Sequence, residues 1–89
     1  MFTYRQLERI AKGFSNHRRL QILDLLDKNP ELSVSEISEK IKSDLKNVSE
    51  HIIKLTIAGL VMKRNQGHNV RHKLTNRGKN ILIFFRTLE

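Results

Sequence analysis

The fold is decided by the stretch VSEHIIKLTIAGLV, Val48 to Val61. Leu45, Val48, Ile52, Leu55 and Gly59 fall on one face of a helix, and Lys46, Asn47, Glu50, Lys54 and Ile57 fall on the opposite one. This is the pattern of a helix half in a core and half in solvent. Asp44 is placed to cap it, so the helix is expected over about residues 44–58, with Val48, Ile52 and Leu55 as core. Gly59 offers the left-handed backbone that only Gly adopts cheaply, turning the chain out of the helix. Leu60 to Arg64 and Val70 to Leu74 are then two alternating runs around Gly67, which predict a β-hairpin at about residues 61–74.

Upstream, Ser33-x-x-Glu36 is a capping box followed by Val34, Ile37 and Ile41, a short helix to about Lys42. Two helices so close in sequence form a helix-turn-helix pair. Thr3-x-x-Gln6 opens a first helix with Leu7, Ile10, Ala11 and Phe14 as its apolar stripe, ended by Gly13 and Ser15. Ser15 or Asn16 caps a second helix through Asp27, with Leu20, Ile22, Leu23, Leu25 and Leu26 as a wide apolar face, and Asn29-Pro30 stops it. A short strand is conceivable at Glu31 to Ser33. Thr75 caps a last helix expected to carry Gly78, Ile81, Phe84, Phe85 and Leu88 inward, with Leu82 and Ile83 off that face. The expected fold is mainly α with a small β-hairpin, about five helices plus a two-stranded wing.

The 89 residues are enough for one domain, residues 1–89, and too few for a second core. With one Pro and four Gly, disordered and collagen-like classes are excluded. There is no Cys, hence no disulfide and no thiolate metal site. The N-terminus lacks a signal-peptide apolar run and Ile81 to Phe85 is too short to span a bilayer, so a cytoplasmic protein with no membrane partner is expected.

The net charge of +8 points to an anionic partner. It is concentrated late in the chain. Between Val61 and Leu88 there is no acid, and the segment Lys63 to Lys73, KRNQGHNVRHK, sets Lys63, Arg64, Arg71 and Lys73 around the Gly67 turn. Solubility alone usually interleaves both signs.

Together these residues resemble the recognition-helix signature of ArsR-type winged helix-turn-helix regulators: Val, Ser, any residue, His, an aliphatic, two variable residues, Leu, two variable residues, then Ala-Gly-Leu-Val. Here those are Val48, Ser49, His51, Ile52, Leu55, Ala58, Gly59, Leu60 and Val61. Arg19, Leu20, Ile22 and Leu23 sit where such proteins place Arg-Leu-x-Ile-Leu, and LSVSEISEKI resembles the helix before the recognition helix. KLTNRGKNIL is similar to the Leu-Thr-x-x-Gly closure of many winged-helix regulators, MarR-like ones included. The resemblance covers roughly Leu7 to Leu82. Lys42-Ser43 departs from the usual Gly-aliphatic turn, and Glu50 stands where Arg or Gln is common.

The resemblance implies a homodimeric repressor of transcription that binds double-stranded DNA, with the recognition helix in the major groove. Lys46, Asn47, Ser49, Glu50, His51 and Lys54 are then the candidate contacts, since Asn can pair with adenine, Lys with guanine and Glu with the cytosine amino group. The basic hairpin is the wing, with Arg64, His68, Arg71 and Lys73 on the phosphate backbone or in the minor groove. Dimerisation is expected through the first and last helices by Phe2, Leu7, Leu82, Ile83 and Phe85.

ArsR-type proteins often sense metals through Cys pairs near the recognition helix or through His and carboxylates on the last helix. This chain has neither set, so no metal and no cofactor is expected, and no residue names a small-molecule effector. His68-x-x-x-His72 lacks a third ligand nearby. The acids are scattered at caps and surface positions, which argues against an enzyme. The rival reading is a winged helix serving as a protein-interaction module, with Ile53 and Ile57 as its apolar contacts.

Overall fold

The computed structural model describes all residues from Met1 to Glu89. Its elements are α1 (Tyr4–Phe14), α2 (His17–Lys28), α3 (Val34–Ile41), α4 (Leu45–Ile57), β1 (Val61–Gln66), β2 (Asn69–Leu74) and α5 (Asn76–Arg86). The fold is a winged helix-turn-helix, five helices with one antiparallel hairpin. No helix is long and apolar enough to cross a membrane.

Local chemistry sets the helix starts. Thr3 and Ser33 form full capping boxes with Gln6 and Glu36, Asn16 accepts from the amides of Arg18 and Arg19, and Asp44 accepts from the amide of Asn47. Each such cap satisfies donors that would otherwise be orphaned, contributing about 1 kcal/mol. Between α3 and α4, Lys42 takes the left-handed conformation (φ 55°) where Gly is usual. The turn is held by the Ser43 amide donating to the Ser38 carbonyl at 3.2 Å and by the Ser38 hydroxyl donating to the Ser43 carbonyl.

Ile22, Leu23, Leu26, Ile37, Val48, Ile52, Leu55 and Leu60 are fully or almost fully buried and form the centre of one core. Gly59 adopts φ +76° as expected, and the Leu60 amide donates back to the Leu55 carbonyl as the chain turns into β1. The hairpin runs in register from Val61↔Leu74 to Gln66↔Asn69. The anticipated strand at 31–33 is a single bridge, Leu32↔His72, in which the Glu31 amide donates to the His72 carbonyl and the His72 amide donates to the Leu32 carbonyl. Only the base of the wing is buried: Val61, His72 and Leu74 are covered, whereas Met62 to Val70 project into solvent.

Two expectations about facing are corrected. Leu45 is exposed, because it lies in the first turn of α4 beyond the edge of the core. In α5 the inward stripe is Gly78, Ile81, Leu82 and Phe85, whereas Phe84 and Leu88 are exposed. Gly78 sets this phase, since its α-carbon packs so closely on the Leu60 carbonyl that a Cβ would collide with the oxygen. Leu82, one turn on, is therefore driven into the core at 6% exposure. α1 buries only Gly13, packed against Ala58 of α4, and its stripe of Leu7, Ile10, Ala11 and Phe14 remains largely outside the monomer core.

Candidate nucleic-acid interface

On α4, the exposed face reads Lys46, Asn47, Glu50, Ile53, Lys54 and Ile57 from its N-terminus onward. The Asn47 side-chain amide donates to Asp44 Oδ2 at 2.9 Å, while its backbone amide donates to Asp44 Oδ1 at 2.9 Å. Asn47 is thus exposed yet already oriented by the cap. Ser49 is half-buried and, with Val34, Ile53, Lys63 and Val70, lines a notch between α4 and the wing.

His51 departs from the expected contact face. Its Nδ1 accepts from Arg19 Nε at 3.2 Å, and the same guanidinium donates from Nη1 to the carbonyls of Lys12 and Gly13. One arginine of α2 thereby ties the end of α1 to the middle of α4. Accepting at Nδ1 requires neutral imidazole with its proton on Nε2. Burial lowers the His51 pKa, and the nearby Arg19 cation lowers it further, Glu50 opposing.

The wing alternates as a strand must. Lys63 and Val70 share the face of His72, toward α4, and Met62, Arg64, Arg71 and Lys73 share the other. His72 is 2% exposed and its Nδ1 lies 2.9 Å from the Leu32 carbonyl oxygen. A carbonyl only accepts, so Nδ1 carries the proton. Burial depresses this pKa, the Leu32 bond opposes the shift and Lys63 adds to it. His68 is exposed in the turn between β1 and β2, away from His72, and no group of three potential metal ligands comes together anywhere in the chain.

Two of the expected wing contacts are engaged within the protein. Arg64 Nη2 pairs with Glu31 Oε2 at 2.6 Å, and Arg71 Nη1 pairs with Glu36 Oε1 at 2.5 Å. Lys73 is exposed on the side facing Asp27, Pro30 and Lys79, away from α4. Lys63, which spacing alone did not single out, is exposed beside the recognition helix. Its signal was parity: two residues after buried Val61, it had to share that residue's face. Arg77 was also missed. Its Nη1 donates to the Ala58 carbonyl at 2.9 Å, capping the C-terminus of α4, while its guanidinium lies 5.3 Å from the Phe2 ring centre.

Of the expected dimer residues, Phe2, Leu7 and Ile83 are exposed and Phe85 is half-buried against Phe14, with ring centres 5.6 Å apart. Leu82 is buried in the core, and Phe84, 57% exposed, stands next to Ile83.

A family model for the bacterial regulatory protein, arsR family, matches residues 16–63, from the cap of α2 to the start of β1. The chain belongs to the ArsR family. Over 67 residues this ArsR-family chain is 37% identical to the transcriptional activator HlyU of Vibrio cholerae serotype O1, covering 75% of this chain and 61% of that protein. The match thus spans about three-fifths of that relative's length. Among solved structures, the homodimeric winged helix-turn-helix DNA-binding domain of a Mycobacterium bovis protein superposes with a TM-score of 0.85 at 28% identity, over 93% of this chain and 77% of that one. Reduced HlyU from Vibrio cholerae N16961 gives 0.79 at 32% identity, over 93% and 87%. The ArsR-family match ends at Lys63, so it includes the whole helix-turn-helix and only the first residues of the wing.

Proposed function

We propose that this protein is a homodimeric, sequence-specific regulator of transcription that binds double-stranded DNA in the cytoplasm and represses by occupying its operator. The observation that carries this is the exposed N-terminal half of α4, where Lys46, Asn47 and Glu50 stand clear of the core beside a projecting basic hairpin. A helix presented in this way fits the major groove with its first turns toward base edges. Lys46, Asn47, Glu50 and Lys54 are the proposed contacts there, with Ser49 at the groove wall and His68 and Lys73 at the flanking backbone. His51 serves instead to hold α4 against α2. The protein carries out no catalysis in this reading, in keeping with its membership of a family of regulators.

The homodimer forms in this reading by α1 with the residues just before it and by α5, where Phe2, Leu7, Ile83 and Phe84 are exposed. Closing a two-fold axis over them places two recognition helices for successive major grooves of a near-palindromic site.

Fluorescence anisotropy against a random duplex and against the region upstream of the protein's own gene, over a salt series, tests the reading. Tighter binding to the upstream duplex with a steep salt dependence is expected. Absence of binding to either duplex at low salt would overturn it and leave the interaction module, in which exposed Ile53 and Ile57 dock a protein partner and salt has little effect.

A further inference from the structure

Strand register places Arg64 directly opposite Arg71 on one face of the wing. Like charges so placed repel and weaken a hairpin. Two carboxylates from outside the hairpin offset this. Glu31 Oε2 lies 2.6 Å from Arg64 Nη2, Glu36 Oε1 lies 2.5 Å from Arg71 Nη1, and the Glu31 carbonyl accepts from the same Nη1 at 3.3 Å.

The Glu36 carboxylate and the Glu31 backbone are each held by a bond that does not involve the arginines. Glu36 is the N3 residue of the α3 capping box, so its carboxylate also accepts from the Ser33 amide at 3.0 Å. Those Ser33 bonds, with Arg71 adding to them, hold its carboxyl below the ordinary carboxylate value. Glu31 sits at φ +69°, a left-handed conformation costly for a residue with a side chain, and its amide donates to the His72 carbonyl at 2.9 Å. His72 then grips the next residue from the other side of β2, through Nδ1 and the Leu32 carbonyl. The backbone at 31–32 is thus clamped by consecutive residues of β2, and the Glu36 carboxylate cannot swing away without breaking the α3 cap.

Lys63 is placed otherwise. It lies on the opposite face of the hairpin, beside Ser49 and Ile53 of α4, and takes part in none of the six ion pairs of the chain.

We propose that Glu31 and Glu36 are positioning residues that hold Arg64 and Arg71 off the phosphate backbone and set the wing's angle to α4, leaving Lys63 as the phosphate contact at the wing's α4 side. The inference rests on the DNA-binding reading above. Its consequence is selectivity: cations on phosphate raise affinity for every sequence alike, so two arginines withheld from the backbone lower non-specific binding without touching base readout.

The test is the salt slope of binding to a random duplex for the full chain and its variants. Each phosphate contact removed should flatten the slope by about 0.9. Lys63→Gln is expected to do so, and Arg64→Gln and Arg71→Gln to leave it unchanged. Glu31→Gln with Glu36→Gln is expected to steepen it by up to about 1.8, as both arginines become free for phosphate, and to reduce preference for the cognate duplex. Gln at 36 preserves the capping box, so helix α3 is retained. Should the double variant not fold, Arg64→Gln against Lys63→Gln decides, because Arg64 is 58% exposed and outside the core. Flattening by Arg64→Gln and Arg71→Gln equal to that by Lys63→Gln would overturn this inference while leaving the DNA-binding reading intact. A wild-type chain that binds no duplex at any salt removes both.

Discussion

Arg19 Nε donates to His51 Nδ1 across 3.2 Å, joining α2 to the recognition helix between residues 32 apart in sequence. Protonation of His51 would remove that acceptor and set a cation against Arg19, with Arg18 and His17 adding repulsion and Glu50 opposing it. His72 is depressed in the same direction, chiefly by burial. Both folded values lie below the ordinary 6.5, so the unfolded chain binds protons that the folded one refuses. Their contribution is fully present above 6.5 and is lost as pH falls through that value toward the folded pKa. Thermal unfolding should therefore show a lower midpoint at about pH 5.5 than at about pH 7.5, by about 4–8 °C for each 1 kcal/mol lost. The variant His51→Asn with His72→Asn should flatten this dependence, and an unchanged pH profile would show that other groups govern it.

Gly78 should not tolerate Ala. In an ordinary helix interior Gly→Ala stabilises by about 0.5–1 kcal/mol. At position 78 the added Cβ meets the Leu60 carbonyl, a backbone group that cannot step aside. Gly78→Ala is expected to destabilise by about 1–3 kcal/mol, the usual range for overpacking, read as a lower urea midpoint. A stabilised variant would mean that α5 can slide off the turn after α4.

Neighbouring residues of α5 should behave oppositely. Leu82→Ala removes a core side chain and should cost about 2–5 kcal/mol of stability. Ile83→Glu, at an exposed position, should leave the fold intact and convert dimer to monomer in sedimentation at micromolar concentration. Retention of the dimer in Ile83→Glu would move the interface away from this face.

Glu50 gives a prediction with a sign. If it reads a cytosine amino group, Glu50→Ala should cost about 1–3 kcal/mol of discrimination at one base pair. Loss of an acid near phosphates should at the same time tighten binding to random duplex. Competition binding with single-base-pair substitutions of the operator measures both, and uniform tightening with no lost preference would mark Glu50 as a bystander.

Much of the architecture was settled by interactions a few residues long. Thr3, Asn16, Ser33 and Asp44 cap helices because their oxygens reach amides two or three residues ahead. Gly59 turns the chain because it has no Cβ, and parity along β1 and β2 assigns each wing residue a face. Such geometry is complete within one turn or one strand pair, so residue order alone determines it. What the tertiary structure decided is which polar side chains are already spent. Arg71 meets Glu36 across 35 positions and Arg19 meets His51 across 32, distances over which spacing carries no information because they depend on how packed elements dock. The phase of α5 belongs to the same class: its residues are apolar on too many sides for periodicity to choose an inner face, and the close approach of Gly78 to Leu60 makes the choice.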